Sequence, residues 1–263
     1  MRKTIIHTLA CVSLTLVMTV TSLPANAQQR SHLRDSLSKA LEALAYHPDS
    51  VDLILKKASW NIELGQWQYA KDSYDDVLRL EPYNLAALFF RAYANEKLNR
   101  LNFARLDYET LLTIVPGHFE AQLGLALLNF KDKHFTEAID MANRLVSQYP
   151  DSAVAYAARA GMELERGMCE LAEYDYTEAL RRDSANTDYL LSRADLRIRM
   201  RLWDAARRDL DTLVALGIPQ SSLKAFYRRL RRRLLYRNYR CLLTHLAETG
   251  CNKGIIINSV GFY

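Results

Sequence analysis

Few residues in this chain are of the types that do chemistry, and their spacing is loose. Cys241-x3-His245-x5-Cys251 brings together three soft ligands, one short of the set that closes a structural zinc site. The same Cys241 and Cys251 suit a disulfide pinning the chain end in an oxidising compartment, or stand as two separate thiols. Cys169 lies apart, in an apolar-periodic segment, and reads as a core residue. There are 6 histidines, none in a His-Glu-x-x-His arrangement, and neither a Gly-x-Ser-x-Gly elbow nor a glycine-rich phosphate loop occurs. Carboxylates are abundant, but they lie on amphipathic segments, where charge belongs to the solvated face. The expectation is a protein that is not an enzyme and needs no cofactor and no metal.

Charge carries more information. The net charge of +5 hides an asymmetry: residues 30–186 hold 18 Lys+Arg against 24 Asp+Glu, and residues 187–263 hold 15 against 6. The basic excess concentrates at Arg228, Arg229, Arg231, Arg232, Arg233, Arg237 and Arg240, with Tyr227, Tyr236 and Tyr239 interleaved. In a cytosolic chain this would raise nucleic acid as a partner. The N-terminus argues otherwise. Met1-Arg2-Lys3, an apolar run from Ile5 to Val20 and Ala25-Asn26-Ala27 have the form of a secretory leader cut after Ala27. His7, Thr8, Ser13, Thr15 and Thr19 interrupt the run and make it a poor membrane span, the competing reading. Lipidation at Cys11 is a lesser alternative. The mature chain is expected to be exported, in a periplasm or associated with an outer membrane, without a transmembrane helix. Nucleic acid then drops out as a partner. An anionic envelope surface, an acidic partner protein, head-to-tail self-association or a plainly solvated cap all fit the basic region.

The elements that position these residues follow from a period. Pro48, Pro82, Pro116 and Pro150 are spaced 34 residues apart, and Ser184 stands where the next proline would fall. A fixed period of this length signals a stacked helical array. Within residues 51–84 an apolar-periodic segment from Leu53 to Leu64 is followed by Gly65-Gln66 and a second segment from Trp67 to Leu80. Glycine suits the turn and proline cannot continue the second helix, so each period is a helix hairpin. The eighth positions are Ala58, Ala92, Ala126, Ala160 and Ala194, and the twentieth are Ala70, Ala104, Ala138, Ala172 and Ala206. Two helices can cross closely only where side chains are small. Bulky partners stand at Trp67, Leu101, Phe135, Cys169 and Trp203, and at Tyr74, Tyr108, Tyr176 and Leu210.

On these residues the chain resembles the tetratricopeptide-repeat family, in a bacterial, exported form. The resemblance implies an all-α fold, a right-handed superhelix of antiparallel helix hairpins. It divides the chain into a leader (1–27), an N-terminal half-repeat helix (28–50) and five repeats (51–84, 85–118, 119–152, 153–186 and 187–219). A basic capping helix (220–247) and an apolar tail (248–263) follow. It also implies that the first helix of each hairpin lines a groove for a peptide or protein partner. Carried over by position, the groove residues are Leu55, Ser59, Phe89, Tyr93, Leu123, Leu127, Phe130 and Lys131, with Glu96, Leu164 and Arg199 beside them. Some members hold a terminal carboxylate with a Lys and Asn clamp. The ninth positions here are Ser59, Tyr93, Leu127, Gly161 and Asp195, so that clamp is absent. The implied function is a non-catalytic scaffold. The alternatives are an envelope-tethering protein acting through the basic helix and an accessory subunit of an envelope enzyme.

Two polar series remain. The seventh position reads Lys57, Arg91, Leu125, Arg159, Arg193, and the twenty-third reads Ser73, Asp107, Met141, Asp175, Asp209. Wherever the seventh is Arg, the twenty-third is Asp, which predicts the buried pairs Arg91–Asp107, Arg159–Asp175 and Arg193–Asp209. The eleventh position holds Asn61, Asn95 and Asn129, a polar ladder read as structural.

Overall fold

The structure, a computed structural model, describes residues 23–230. All regular secondary structure among these residues is helical. They divide into two compact units, one ending at Asp183 and the other beginning at Ser184. The division falls at the junction where the recurring proline is missing.

The first unit opens with α1 (Leu23–Tyr46), which packs on α2, with Ala40 buried and Leu44 set against the apolar core. It starts earlier than the apolar spacing suggests, because Pro24 occupies the first turn, where a missing N–H costs nothing. Four hairpins follow: α2 (Val51–Glu63) with α3 (Trp67–Leu80), and α4 (Leu85–Lys97) with α5 (Leu101–Ile114). Next come α6 (Phe119–Lys131) with α7 (Phe135–Gln148), and α8 (Ala153–Glu165) with α9 (Cys169–Arg182). The second unit holds α10 (Thr187–Arg199) and α11 (Trp203–Ala215), and residues 224–230 are helical.

Each first helix ends the same way. Gln66 N–H reaches Asn61 O (2.8 Å) and Gly65 N–H reaches Ile62 O (2.9 Å), so two orphan carbonyls are satisfied by a left-handed residue after the helix. The pattern recurs at Asn99, Lys133, Gly167 and Arg201, all with positive φ. The residue after it then starts the second helix, so one short turn serves both ends. Only two of the five turn positions are glycine, which is why glycine alone does not reveal the turns. Asn84, His118, Ser152 and Asn186 cap the first helices with side-chain acceptors. Helix α11 breaks the pattern. It ends in the glycine turn otherwise used by first helices, with Ile218 N–H on Leu213 O, which accounts for Pro219 falling late.

All ten alanines of the two series are 0 % exposed. Between hairpins the contact is tighter still at Gly124 of α6, where an added Cβ would stand 2.7 Å from Tyr108 Cζ. Tyr108 is buried and its hydroxyl is hydrogen-bonded to Glu96, so the ring cannot swing aside. Gly124→Ala is therefore expected to lower stability by about 1–2 kcal/mol, despite the better helix propensity of alanine. Lys133→Gly and Arg201→Gly, which relieve left-handed backbone, should each raise it by about 0.5–1 kcal/mol. Urea melts of the three variants check both signs.

Candidate partner-binding face

The charges nearest the core are consumed within the fold. Arg91 Nε and Nη2 donate to the two oxygens of Asp107 (2.9 and 2.6 Å), and Arg159 does the same to Asp175 (2.6 and 2.8 Å). In the second unit Arg193 donates to both oxygens of Asp209 (3.2 and 2.8 Å). The three predicted pairs thus form, two-pronged, with the aspartates only 3, 1 and 3 % exposed. Two of these arginines have a further partner that the pairing of positions within one hairpin does not reveal. Arg91 Nη1 reaches Asp75 (2.8 Å) and Arg159 Nη1 reaches Asn143 (3.0 Å), each sixteen residues earlier. Each of these arginines therefore ties its own hairpin to the preceding one. Asp209 also receives Arg197 (2.9 and 2.8 Å). These guanidinium groups are structural and offer no anion site.

The first helices α4, α6 and α8 lie side by side, each in contact with the next. The residues assigned to their common face separate into two groups. Phe130 is 5 % exposed and sits edge-on to Phe135 (5.1 Å), so it belongs to the core and not to a binding surface. Its place next to the exposed Lys131 on a repeating helix hid this in the sequence. Phe89 is half-buried between hairpins, edge-on to Tyr108 (5.8 Å) and stacked on His118 (6.0 Å). Leu55, Leu123 and Leu164 are half-buried, the first two against the apolar core.

Four assigned residues reach solvent on this face. Ser59 is exposed and donates to Lys56 O (2.9 Å). Tyr93 is half-buried, its ring against the edge of Trp67 (5.8 Å). Leu127 is 41 % exposed. Lys131 is exposed and donates to Glu96 O (3.1 Å), bridging α6 to α4. The structure adds Lys97, whose ammonium lies 4.9 Å from the Tyr93 ring and 5.9 Å from Trp67, an attractive cation–π geometry. It occupies the same repeat position as Lys131, a signal available in the sequence. Val154, 45 % exposed at the start of α8, is a second addition. Burial pushes the Glu96 carboxyl up, opposed by a Tyr108 hydrogen bond and by Lys131 and Lys97. The face thus offers apolar and aromatic surface flanked by two ammonium groups.

The basic surface is only partly within the described residues. Arg228 is exposed, beside Lys224 and Tyr227. Arg229 donates to Asp195, which also holds Arg199 (2.7 Å), so its charge is neutralised locally. Tyr227 donates to Asp211 (2.7 Å), and burial followed by that carboxylate pushes its hydroxyl up to about 12. Arg232, Arg233, Arg237 and Arg240 lie outside the described residues. So do Cys241 and Cys251, most of the leader, the tail and most of the expected capping helix. Cys169 is half-buried at the start of α9, as a free thiol.

Five hairpins built on one period define a helical-repeat fold, and comparison with known proteins agrees. Residues 120–152 match the tetratricopeptide repeat model. A tetratricopeptide repeat protein from Parabacteroides merdae superimposes with a TM-score of 0.64 at 20 % identity, over 80 % of this chain and 82 % of that one. PilW, a type IV pilus biogenesis factor, gives 0.62 at 19 % identity, over 74 % and 90 %. A thermophilic repeat protein from Thermus thermophilus gives 0.56 at 17 %, over 69 % and 99 %. Human sperm-associated antigen 1 is 30 % identical over 104 residues, which are 38 % of this chain and 11 % of that much longer protein. Residues 120–152 thus carry a tetratricopeptide repeat, and the fold is that of tetratricopeptide-repeat proteins.

Removing an aspartate while leaving its arginine should expose the worth of each pair. Asp209→Ala takes the shared carboxylate from two guanidinium groups and is expected to cost about 3 kcal/mol or more. Asp107→Ala leaves Arg91 with Asp75 and should cost about 1–2 kcal/mol. Denaturant melts of both variants test the ranking; equal losses would show that Asp75 gives Arg91 no shelter.

Proposed function

We propose that this protein is a non-catalytic interaction scaffold that holds a peptide or protein partner against the face of its first helices. The observation that carries the reading is the exposure of Leu127 and Val154 on α6 and α8 and the partial exposure of Tyr93 on α4, while the residues behind them are closed into the core. Apolar side chains left in water on successive elements are what a docked segment buries. Lys97 and Lys131 beside them add polar contacts that fix its orientation. The fold supports this reading, since it is that of protein-interaction scaffolds.

We further propose that the scaffold works outside the cytoplasm, in the periplasm or at the outer membrane, after loss of residues 1–27. The basic start, apolar run and Ala25-Asn26-Ala27 support this. No helix among the described residues is long and apolar enough to cross a membrane.

In affinity capture from the source cell's envelope, the double variant Tyr93→Ala/Leu127→Asp should lose the partner recovered by the wild type at least tenfold. Both side chains are outside the core, so its melting temperature should stay within a few degrees. Undiminished recovery of the same partner would remove this face as the site. The mature chain should begin at Gln28 by N-terminal sequencing; a chain that keeps Met1 would remove the export reading.

A further inference from the structure

In the second, third and fifth hairpins a hydrogen-bond donor at the eleventh position is aimed at the twenty-third. Asn95 is hydrogen-bonded to Asp107, Asn129 Nδ2 lies 3.4 Å from Met141 Sδ, and Arg197 donates to Asp209. The fourth hairpin departs from this rule. Its eleventh position is Glu163 and its twenty-third is Asp175, so an acid faces an acid.

The surroundings give the second carboxylate no relief. Glu163 is 6 % exposed, on α8, one turn after Arg159. Arg159 has already committed Nε and Nη2 to Asp175 (2.6 and 2.8 Å) and Nη1 to the neutral Asn143 of α7 (3.0 Å). Glu163 Oε1 is left 4.0 Å from Arg159 Nε, beyond hydrogen-bond reach, and Oε2 is buried without a donor. From α9 the facing ionisable group is Asp175 itself. The chain neighbour of Glu163, Met162, packs in an apolar cluster with Ala126 and Phe130 of α6 and Ala142 and Leu145 of α7. Two ionised carboxylates would here share one guanidinium in a poorly hydrated place, an arrangement that favours keeping one proton.

We propose that Glu163 keeps its proton below neutral pH and donates it to Asp175, standing in for the donor that Asn95 and Arg197 supply in other hairpins, and that loss of this proton loosens α8 and α9. The fourth hairpin is then a pH-sensitive element built into an otherwise charge-balanced array. The proton comes from water and returns to it, so no other reactant is required.

Burial first, and then the Asp175 charge, push the Glu163 carboxyl up to about 7, with Arg159 opposing them only in part. In the unfolded hairpin the same group titrates near its ordinary 4.5. A folded value raised above the unfolded one means the contribution is complete below about 4.5 and lost as pH rises through about 7. The opening equilibrium of the hairpin should accordingly rise roughly thirty-fold between about pH 5.5 and 8.5.

The test uses the full chain. Carboxyl-carbon NMR on protein labelled at glutamate should show Glu163 titrating near 7. Hydrogen exchange of the α8 and α9 amides, corrected for intrinsic exchange rates, should lose protection roughly thirty-fold over that pH range in the wild type. Glu163→Gln, which supplies a permanent donor, should hold protection level. Asp175→Asn frees Arg159 for Glu163 and should move the Glu163 midpoint back toward 4.5. A wild-type Glu163 midpoint below about 5.5 would overturn the proposal. So would a Glu163→Gln protein that keeps the wild-type pH dependence.

Discussion

Close helix crossing at the alanine seam is the constraint on which the rest of this structure depends. Ten alanines in register, all without exposure, let the two helices of each hairpin pack closely. At that separation the seventh residue of the first helix reaches the twenty-third residue on the second. A larger side chain at any of these positions would separate the helices and break the arginine–aspartate geometry along with the apolar packing. The exclusion of side-chain volume therefore comes first, and the polar chemistry of the interior follows from it.

That polar chemistry is a ladder of charges that cancel almost as soon as they are buried. Arg91 and Arg159 each take an aspartate in their own hairpin and a polar group in the preceding one. The array is thus held by directional contacts as well as by apolar area, with each arginine fixing the register of two neighbours. Buried guanidinium groups engaged in this way cannot serve a ligand, which leaves the surface to do so. The two compact units meet in the sequence where the proline is lost, and the balance of charge changes sign at the same place.

The face presented by the first helices is modest in area but distinct in composition. Position within the repeat identified Ser59, Tyr93, Leu127 and Lys131 as surface residues. The same position rule placed Phe130 there too, and packing overruled it. Hydrophobicity draws a large aromatic ring inward wherever the neighbouring hairpin leaves room, and Phe135 supplies the matching edge. Lys97 was legible by analogy with Lys131, but its closeness to Tyr93 and Trp67 depends on how α3 meets α4.

The sequence by itself determined the all-α hairpin plan, the alanine seams and the three arginine–aspartate pairs. Each of these is a rule about spacing within one repeat, and the repeat is written out five times. The positive-φ turns at Asn99, Lys133 and Arg201 were less legible, because hydrogen bonds to the preceding helix impose that conformation on residues with no intrinsic preference for it. What only the tertiary structure decided were the contacts between repeats. These include Asp75 and Asn143 as second partners, the Tyr108 ring against Gly124, and the withdrawal of Phe130 into a cluster with Ala155 and Met162 of the next hairpin. Such contacts depend on the displacement and rotation from one hairpin to the next, and no periodicity along the chain encodes that step directly.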